Sequence, residues 1–305
     1  MKILLTGASS FTGFHFASHL ATAGHEVTCP LTRRSIQRYG DVRHVRWHRL
    51  NKLSGKVDLV FNAQQGTRNF FDIFKSRDYD LFCHHGAAVS GYKLPNFNPV
   101  AAVADNMAGF GAVLDHVKAV VTTGTIAEPG EGGPDAMSAY GVSKAATWML
   151  VKHLCEKANK PIAKFVISNP FGPYEEPDRF CATAVRSWKA GEPVSVVDAG
   201  RVRDNIHVKL LAEAYVKACE MAAWSESRVY RPLGTIETWG HFVERFASEM
   251  GQRMNFKSQQ TIRDRDSKTS EPRVRTNSDP VRVPYREEES ILWDEIAEFY
   301  RDLPQ

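Results

Sequence analysis

The sequence lacks the features that mark secreted and membrane-spanning proteins. Its five cysteines are scattered over 305 residues and none forms a Cys-x-x-Cys pair, so we expect free thiols in a reducing cytoplasm rather than a disulfide framework or a zinc site. No apolar run reaches the roughly 20 residues of a membrane span. The apolar run at the N-terminus is too short for a signal peptide, because Gly7 ends it. These absences predict a cytoplasmic protein with no membrane segment.

The sequence also lacks a strong excess of charge of either sign. Lys and Arg number 39 against 35 Asp and Glu, giving a net charge of +4. Nucleic-acid-binding proteins usually carry a stronger basic footprint, so we expect no nucleic-acid partner, while an anionic small molecule is allowed. The basic stretch 253–275 has no interleaved aromatics, and a solvated or diphosphate-facing loop explains it as well as nucleic-acid binding does. Its role stays open.

Strand-like and helix-like segments alternate over the first half of the chain. The predicted strands are Lys2–Leu5, His25–Cys29, Val42–Trp47, Asp80–His84, Ala119–Thr123 and Ile162–Ser168. Val57–Phe61 is a further strand candidate, over which we favour Asp80–His84 as the next central strand. The predicted helices are Phe14–Ala23, Asp105–Val117 and Ala139–Ala158. This alternation predicts an α/β fold, a Rossmann-type doubly wound parallel sheet with a smaller, irregular C-terminal substrate lobe. We assign 1–168 to a dinucleotide-binding domain, to which 194–222 returns, and 169–193 with 223–305 to the lobe.

A turn rich in small residues joins the first predicted strand to the first predicted helix. It comprises Gly7, Ala8, Ser9, Ser10, Phe11, Thr12 and Gly13. A helix N-terminus directs free N–H groups and the positive end of its dipole at whatever fills such a turn, and small residues allow close backbone approach. The position at the start of a β-α-β array therefore predicts a pyrophosphate-binding turn for a dinucleotide.

The end of the second predicted strand carries no acidic residue. An acid there binds the 2′-hydroxyl of NAD, whereas an arginine accepts the 2′-phosphate of NADP. The segment runs from Val27 to Thr32 without an acid and continues with Arg33 and Arg34. We therefore expect NADP(H) to be favoured over NAD(H).

A second set of residues falls at the predicted carboxyl ends of neighbouring strands. Tyr140 and Lys144 are spaced to share one helix face, and a nearby ammonium favours the phenolate form of a tyrosine. Thr122, Thr123 and Thr125 end the preceding strand, and Asn169-Pro170-Phe171-Gly172-Pro173 follows the next one. Ligands bind at this edge of open parallel sheets, so we expect the groups to meet.

Taken in order, these motifs resemble those of the extended short-chain dehydrogenases/reductases, in the branch of nucleotide-sugar epimerases, dehydratases and reductases. The matching segments are Thr6–Gly13 for TGxxGxxG, His84–Ala88 for HxAA, Asn106–Gly109 for NxxG, Thr125 for the catalytic Ser/Thr, Tyr140 and Lys144 for YxxxK, Asn169–Pro173 for NxxGP and Arg203–Val208 for RDxxHV. The order and spacing of these segments make the resemblance specific, although each is modest alone.

The resemblance implies a role for each matching residue. Tyr140 is expected as the general acid–base, Lys144 as the group that lowers its pKa and binds the nicotinamide ribose, and Thr125 as the residue that holds the reacting oxygen. Substrate contacts are expected from Thr125, Asn169 and Arg203, with an ion pair to Asp204 or another acid as the alternative for Arg203. Cofactor contacts are expected from Gly7, Ser9, Ser10, Phe11, Thr12, Gly13, Arg33, Arg34, His84, Gly86, Ala87, Asn106, Thr123, Tyr140, Lys144, Asn169 and Phe171.

Two positions depart from the family pattern. Ser10 stands where the middle glycine of the turn is usual, which narrows the turn. Glu128-Pro129-Gly130 replaces the usual aromatic and glycine after the catalytic hydroxyl. The acids between Glu128 and Asp135 could recognise substrate or keep the loop soluble, and we favour the second.

The type of reaction follows less directly. Family dehydratases carry an Asp-Glu pair after the catalytic Thr, whereas Thr125 is followed by Ile126-Ala127. We therefore expect a reductase that uses NADPH on a 4-keto nucleotide sugar, with an NAD-retaining nucleotide-sugar 4-epimerase as the alternative. A non-catalytic dinucleotide-sensing regulator is disfavoured, because such proteins commonly lose the Tyr-Lys pair. The family's habit of pairing two long helices per subunit predicts a homodimer through a four-helix bundle.

Overall fold

The computed structural model describes residues 1–223, 227–263, 273–277 and 289–302. In chain order its strands are β1 (Lys2–Leu5), β2 (Glu26–Pro30), β3 (Asp58–Val60), β4 (Tyr79–His84), β5 (Val117–Thr125), β6 (Ile162–Ile167), β7 (Asn169–Phe171), β8 (Val194–Val197), β9 (Val202–His207), β10 (Arg228–Tyr230), β11 (Thr235–Thr238), β12 (Gln260–Arg263) and β13 (Val274–Arg275). The α-helices are α1 (Phe11–Thr22), α2 (Val45–Leu53), α3 (Arg68–Asp72), α4 (Pro99–Met107), α5 (Phe110–Val113), α6 (Ala139–Lys157), α7 (Phe180–Lys189), α8 (Val208–Ala222), α9 (Trp239–Met254) and α10 (Glu289–Asp302).

A seven-stranded sheet forms the larger part of the protein. Its strand order is β10-β6-β5-β4-β1-β2-β3, and each adjacent pair is parallel. The central strands are buried on both faces, as their continuous apolar runs predict. The chain reverses its direction of travel across the sheet between β1 and β4, which is where ligands bind in such sheets. The predicted Rossmann-type doubly wound fold is confirmed.

Two predicted elements are wrong in type or extent. The segment Val42–Trp47, expected as a strand, leads into the helix α2, because Val45, Leu50 and Leu53 bury one helical face and the His44 ring caps its first turn. The helix expected over Asp105–Val117 begins earlier, at Pro99 after the Asn98 cap. It ends where Gly109 adopts a φ of +67°, so α4 and α5 are separate.

A second hydrophobic cluster lies beside the sheet. It joins α7, α9 and α10 through side chains that include Trp188, Phe242, Phe246 and Trp293. Around it, β9 pairs with β7, β11 and β13, and β8 pairs with β12. Within 194–222, α8 packs on α1 and the large sheet, whereas β8 belongs to the lobe side. The predicted domain boundaries stay predictions.

The basic stretch 253–275 divides between several environments. Arg253 pairs with Asp294 at 2.6 Å, and Arg275 is buried. Residues 264–272 of this stretch lie outside the described residues, as do 224–226, 278–288 and 303–305 of the predicted lobe. Within the part of the chain that the structure describes, no helix combines the length and apolar character needed to cross a bilayer.

Candidate active site

A groove of about 940 Å³ runs along the carboxyl ends of the central strands. It lies between the turn after β1, the ends of β4, β5 and β6, the start of α6 and the segment after β7. Of the residues singled out in the sequence, the groove brings together Gly7, Ser9, Ser10, Phe11, Thr12, Gly86, Ala87, Asn106, Thr123, Thr125, Tyr140, Lys144 and Asn169. The three predicted catalytic residues therefore share one groove with most of the predicted cofactor residues, whereas Gly13, Arg33, Arg34, His84 and Phe171 do not line it.

The turn after β1 has the backbone geometry of a phosphate cradle. Gly7 has a φ of +82°, and a Cβ added there would lie 2.9 Å from the backbone of Gly86. A Cβ on Gly13 would lie 2.2 Å from the Gly7 carbonyl oxygen. Ser10 caps α1, its Oγ accepting the Gly13 N–H at 3.2 Å. The first turn of a 12-residue helix thus faces the groove, which suits a pyrophosphate.

His85 provides a hydrogen-bonding partner for Ser10, which stands where the family has a glycine. Its Nε2 lies 3.2 Å from Ser10 Oγ and 3.1 Å from Thr12 Oγ1, and its Nδ1 lies 2.9 Å from Thr123 Oγ1. Burial, assisted by the Lys144 charge, lowers the pKa of His85 to about 3, so the ring is neutral. Every hydroxyl around it can donate or accept. The narrowed turn is therefore tied to the end of β5.

The neighbouring His84 has a structural environment. Its Nε2 donates to the Asn106 carbonyl at 2.9 Å, and burial lowers its pKa to about 3. The Asn106 side chain in turn accepts the Ala88 N–H at 2.8 Å and donates to Thr147 Oγ1 at 3.1 Å. His84 itself does not line the groove. It holds the segment after β4 against α4 and α6.

Tyr140 and Lys144 enter the groove from the first turns of α6. Ser138 caps this helix through a hydrogen bond from Gly141 N. The Tyr140 ring packs 5.2 Å from the ring of Tyr92. Burial raises the pKa of Tyr140 above its usual range. Burial also lowers the pKa of Lys144 to about 8, against an opposing effect of Glu128.

Thr125 is the last residue of β5 and is half-buried at the groove. Its Oγ1 accepts the Ala127 N–H at 3.3 Å, and its own N–H donates to Glu128 Oε1 at 2.8 Å. Glu128 and Glu131 are buried, and Lys164 Nζ donates to them at 2.6 Å and 2.8 Å. The interpretation that the acids keep the loop soluble is therefore wrong for Glu128 and Glu131, whereas Asp135 is exposed.

Several predicted residues lie outside the groove. Arg33 and Arg34 are exposed, and the Arg33 guanidinium lies 5.6 Å over the Tyr39 ring. Phe171 packs into the lobe cluster. Arg203 Nη1 donates to the Val202 carbonyl at 2.8 Å and to the Arg273 carbonyl at 3.3 Å. The roles assigned to these residues stay predictions, with the exception of the cofactor preference corrected below.

Sequence reasoning missed a contact between the phosphate turn and the segment after β7. Arg49 on α2 is fully buried. Its Nη1 donates to the Ser9 carbonyl at 2.9 Å and to Glu176 Oε1 at 2.8 Å. Its Nε donates to the Tyr174 carbonyl at 2.9 Å. Arg46 and Glu176 both line the groove. The Asn-Pro-Phe-Gly-Pro motif marks the start of this segment, but no motif includes Arg49, which lies in the helix mistaken for a strand.

Comparison with known proteins identifies relatives. The model of the NAD dependent epimerase/dehydratase family matches residues 3–231. A probable UDP-glucuronate 4-epimerase of Rhizobium meliloti (strain 1021) is 26% identical over 246 residues, covering 75% of this chain and 71% of that protein. An uncharacterized 37.6 kDa protein of Escherichia coli O111:H- is 23% identical over 259 residues, covering 77% and 74%.

Solved structures share the fold across the whole chain. The UDP-glucuronic acid 4-epimerase of Bacillus cereus, in complex with UDP-glucuronic acid and NAD, is 16% identical with a TM-score of 0.77 and 100% coverage of both chains. The UDP-glucose 4-epimerase of Thermus thermophilus, in complex with NAD, is 17% identical with a TM-score of 0.73 and 99% coverage of both chains.

These neighbours contradict the expectation of NADP(H), because their structures hold NAD. The inference relied on Arg33 and Arg34 as 2′-phosphate ligands. In the structure neither side chain lines the groove, whereas Thr32, Arg46 and Glu176 do. Two exposed arginines after a strand are therefore a poor indicator of cofactor preference in this chain.

Proposed function

Since the chain belongs to the NAD-dependent epimerase/dehydratase family, we propose that it is a UDP-sugar 4-epimerase that retains NAD. One observation carries the proposal: Thr125, Tyr140 and Lys144 line the same groove as the phosphate turn. Ile126 and Ala127 follow Thr125 where a dehydratase has its acid pair. The UDP-sugar 4-epimerases among the relatives support an epimerase over the reductase that we first expected.

The residues of the groove can accept the proton of a sugar 4-hydroxyl and later return it. Tyr140 takes that proton as the sugar is oxidised to the 4-keto form and returns it as the hydroxyl is restored on the opposite face. Thr125 holds the reacting oxygen, since its hydroxyl can both donate and accept. NAD, when bound, supplies the acceptor and donor of the C4 hydride. The net reaction inverts C4 with no change in oxidation state.

The charge of Lys144 determines how readily Tyr140 gives up its proton. With a pKa of about 8, the Lys144 amine is largely protonated at neutral pH. An ammonium close to a phenol favours the phenolate and opposes the effect of burial on Tyr140. In this proposal, proton transfer at Tyr140 depends on the protonation state of Lys144.

The groove carries residues that would hold NAD. The turn at Gly7–Gly13 and the N-terminus of α1 would bind the pyrophosphate, and at the nicotinamide end Lys144 would bind the ribose, with Asn106 lining the same groove. At the other end Thr32, Arg46 and Glu176 line the groove in place of an acid on β2. The side chains present thus fit a dinucleotide.

The test supplies purified protein with UDP-glucuronic acid, UDP-glucose or UDP-N-acetylglucosamine and follows the product by proton NMR. We expect conversion of one of them to its C4 epimer without net consumption of added nucleotide, and release of NAD on denaturation. Tyr140→Phe should bind NAD and lose turnover by at least about 100-fold. Stoichiometric oxidation of NADPH by a 4-keto sugar would instead support the reductase.

We also propose a homodimer through α4 and α6. These helices pack on each other, and their outer faces carry apolar side chains, with Val100 77% and Met149 70% exposed, and Val142 and Leu150 exposed as well. A second copy would remove this surface from water. Light scattering should give twice the mass of 34.2 kDa, and Met149→Glu with Val100→Glu should return a monomer.

A further inference from the structure

A group of four charged residues, three of them buried and one partly exposed, lies beside β5, the strand that carries Thr125. It consists of Lys164 on β6, Glu128 and Glu131 in the loop after β5, and Arg231 after β10. Lys164 Nζ lies 2.6 Å from Glu128 Oε2 and 2.8 Å from Glu131 Oε1, and Arg231 Nε lies 2.6 Å from Glu131 Oε2. We call these four residues the Lys164 cluster. Its charges sum to zero, which is the condition for burying them at tolerable cost.

The Lys164 cluster occupies the space that a side chain at position 124 of β5 would need. A Cβ on Gly124 would lie 2.5 Å from Lys164 Cε and 2.8 Å from Glu128 Oε1. Residue 124 precedes Thr125, whose N–H donates to that same Glu128 oxygen at 2.8 Å. The absence of a side chain at 124 therefore allows the ion pair to reach the strand end that holds Thr125.

The start of α6 rests on the same loop. A Cβ on Gly141 would lie 2.0 Å from the Ala127 carbonyl oxygen and 3.4 Å from Glu128 N, and Met137 N donates to the Ala127 carbonyl at 2.9 Å. Gly141 directly follows Tyr140. Arg275 Nη2 donates to the Glu128 carbonyl at 2.6 Å and holds the loop from the other side. The positions of Thr125 and Tyr140 thus depend on one loop.

We propose that Lys164 and Glu128 are positioning residues, whose buried ion pair fixes Thr125 against Tyr140 and balances the field at Lys144. The proposal rests on the proposed use of Tyr140, Lys144 and Thr125. Neither partner touches the reacting atoms. Glu128 places a negative charge where the family usually has an aromatic residue after the catalytic hydroxyl. Lys164 supplies the opposite charge.

The two charges act on Lys144 in opposite directions. Glu128 raises the pKa of Lys144, while Lys164 lowers it, beside the larger lowering by burial. Glu128 also raises the pKa of Tyr140. Glu128 from the loop and Lys164 from β6 act on Lys144, while the Lys144 charge lowers the pKa values of His84, the last residue of β4, and of His85, which follows it. Both histidines are neutral, so the ion pair sets the balance.

The test measures kcat/KM against pH for Glu128→Gln, Lys164→Met and the double variant. Removing the negative charge should move the apparent pKa of the Tyr140–Lys144 pair down by roughly one pH unit, and removing the positive charge should move it up by a similar amount. The double variant leaves Glu131 paired with Arg231 and should return near the wild-type profile. Glu156→Gln, which breaks an exposed pair with Lys152 on the same helix, should leave the profile unchanged.

Unchanged profiles in both single variants, or shifts in the same direction, would overturn the proposal. A purely structural pair would lower the melting temperature without opposed shifts. Should Lys164→Met fail to fold, Glu128→Gln and the double variant still decide the question. The pH dependence of NADH affinity, read by fluorescence, needs no turnover. Opposed shifts there with no epimerisation would keep this proposal and refute the proposed reaction.

Discussion

Two polar clusters lie at the groove, and each contains a residue that departs from the family pattern: the first is partly buried, and the second has three of its four charges buried. Under the phosphate turn, His85 joins Ser10, Thr12 and Thr123 through neutral hydrogen bonds. Behind β5, the Lys164 cluster joins four charged groups. The partner of Ser10 is His85, which directly follows β4, and the partner of Glu128 is Lys164 on β6. The difference is the cost of losing a member, because an unpaired buried charge is far more costly than an unpaired hydroxyl.

The largest expected effect is therefore on the charged side. Lys164→Met leaves Glu128 without its buried cation, and we expect a loss of about 3–5 kcal/mol in the free energy of unfolding. Urea denaturation at pH 7 measures it. Lys152→Met, at an exposed position on α6, is the matched control and should change stability by less than about 0.5 kcal/mol. A loss below about 1 kcal/mol for Lys164→Met would show that the charged cluster is no more costly to disrupt than the neutral one.

A smaller effect is expected on the neutral side. His85→Leu removes the ring that links Thr123 to Ser10 and Thr12, leaving hydroxyls that must find other partners. We expect a loss of about 1–3 kcal/mol and weaker NAD binding, since the turn is no longer tied to β5. Denaturation and calorimetric titration with NAD measure the two effects. Unchanged affinity would show that the link does not hold the turn for its ligand.

The sequence predicted the parts of the site that follow from local pattern. Gly7–Gly13 joins a strand to a helix, and Tyr140 and Lys144 share a helix face. Local pattern marked both as candidates, and the order of the motifs along the chain made them specific. Strand ends of one parallel sheet meet at one edge, which correctly brought Thr125 to them. Neither cluster could be found this way. Lys164 reads as a polar residue within a strand, and its pairing with Glu128 depends on strand order and on the missing side chain at Gly124.

The wrong cofactor expectation and the missed Arg49 contact share a physical cause. Arg33 and Arg34 were expected to bind the 2′-phosphate of NADP because they follow β2. Binding depends instead on which side chains line the groove, and these two do not. The same limit applies to Arg49, whose three backbone and carboxylate partners lie on two distant segments. Sequence pattern gives the position of a residue along an element. The direction of a long side chain is decided by the tertiary packing around it.

A fall in pH should lower the free energy of unfolding through four histidines that are neutral in the folded protein. Burial lowers the pKa of His15, His84, His85 and His207 to about 3, while in the unfolded chain they titrate near 6.5. Between these values the unfolded state binds more protons, so stability falls as pH falls below about 6.5. Burial raises the pKa of Asp204 to about 7, which acts in the opposite direction.

The expected net loss between pH 7 and pH 5.5 is about 1 kcal/mol per histidine, less a similar gain from Asp204. Urea denaturation at the two pH values measures it. His85→Leu should reduce this pH dependence by about one third, and Glu156→Gln should leave it unchanged. Equal pH dependence in His85→Leu and wild type would mean that His85 is not held neutral.

The smallest expected effect comes from restoring the family glycine at position 10, and it gives the sharpest comparison. Ser10→Gly keeps an acceptable N-cap for α1, costing a few tenths of a kcal/mol, and His85 retains Thr12 and Thr123. Glu128→Tyr restores the family aromatic at the other departure, but it removes the acceptor of Lys164 and of Thr125 N–H in a filled space. Thermal unfolding of the two variants should therefore differ by many degrees. Similar melting temperatures would mean that Lys164 finds sufficient compensation in Glu131 alone, and that the charge of Glu128 matters to the field at Lys144 rather than to the fold.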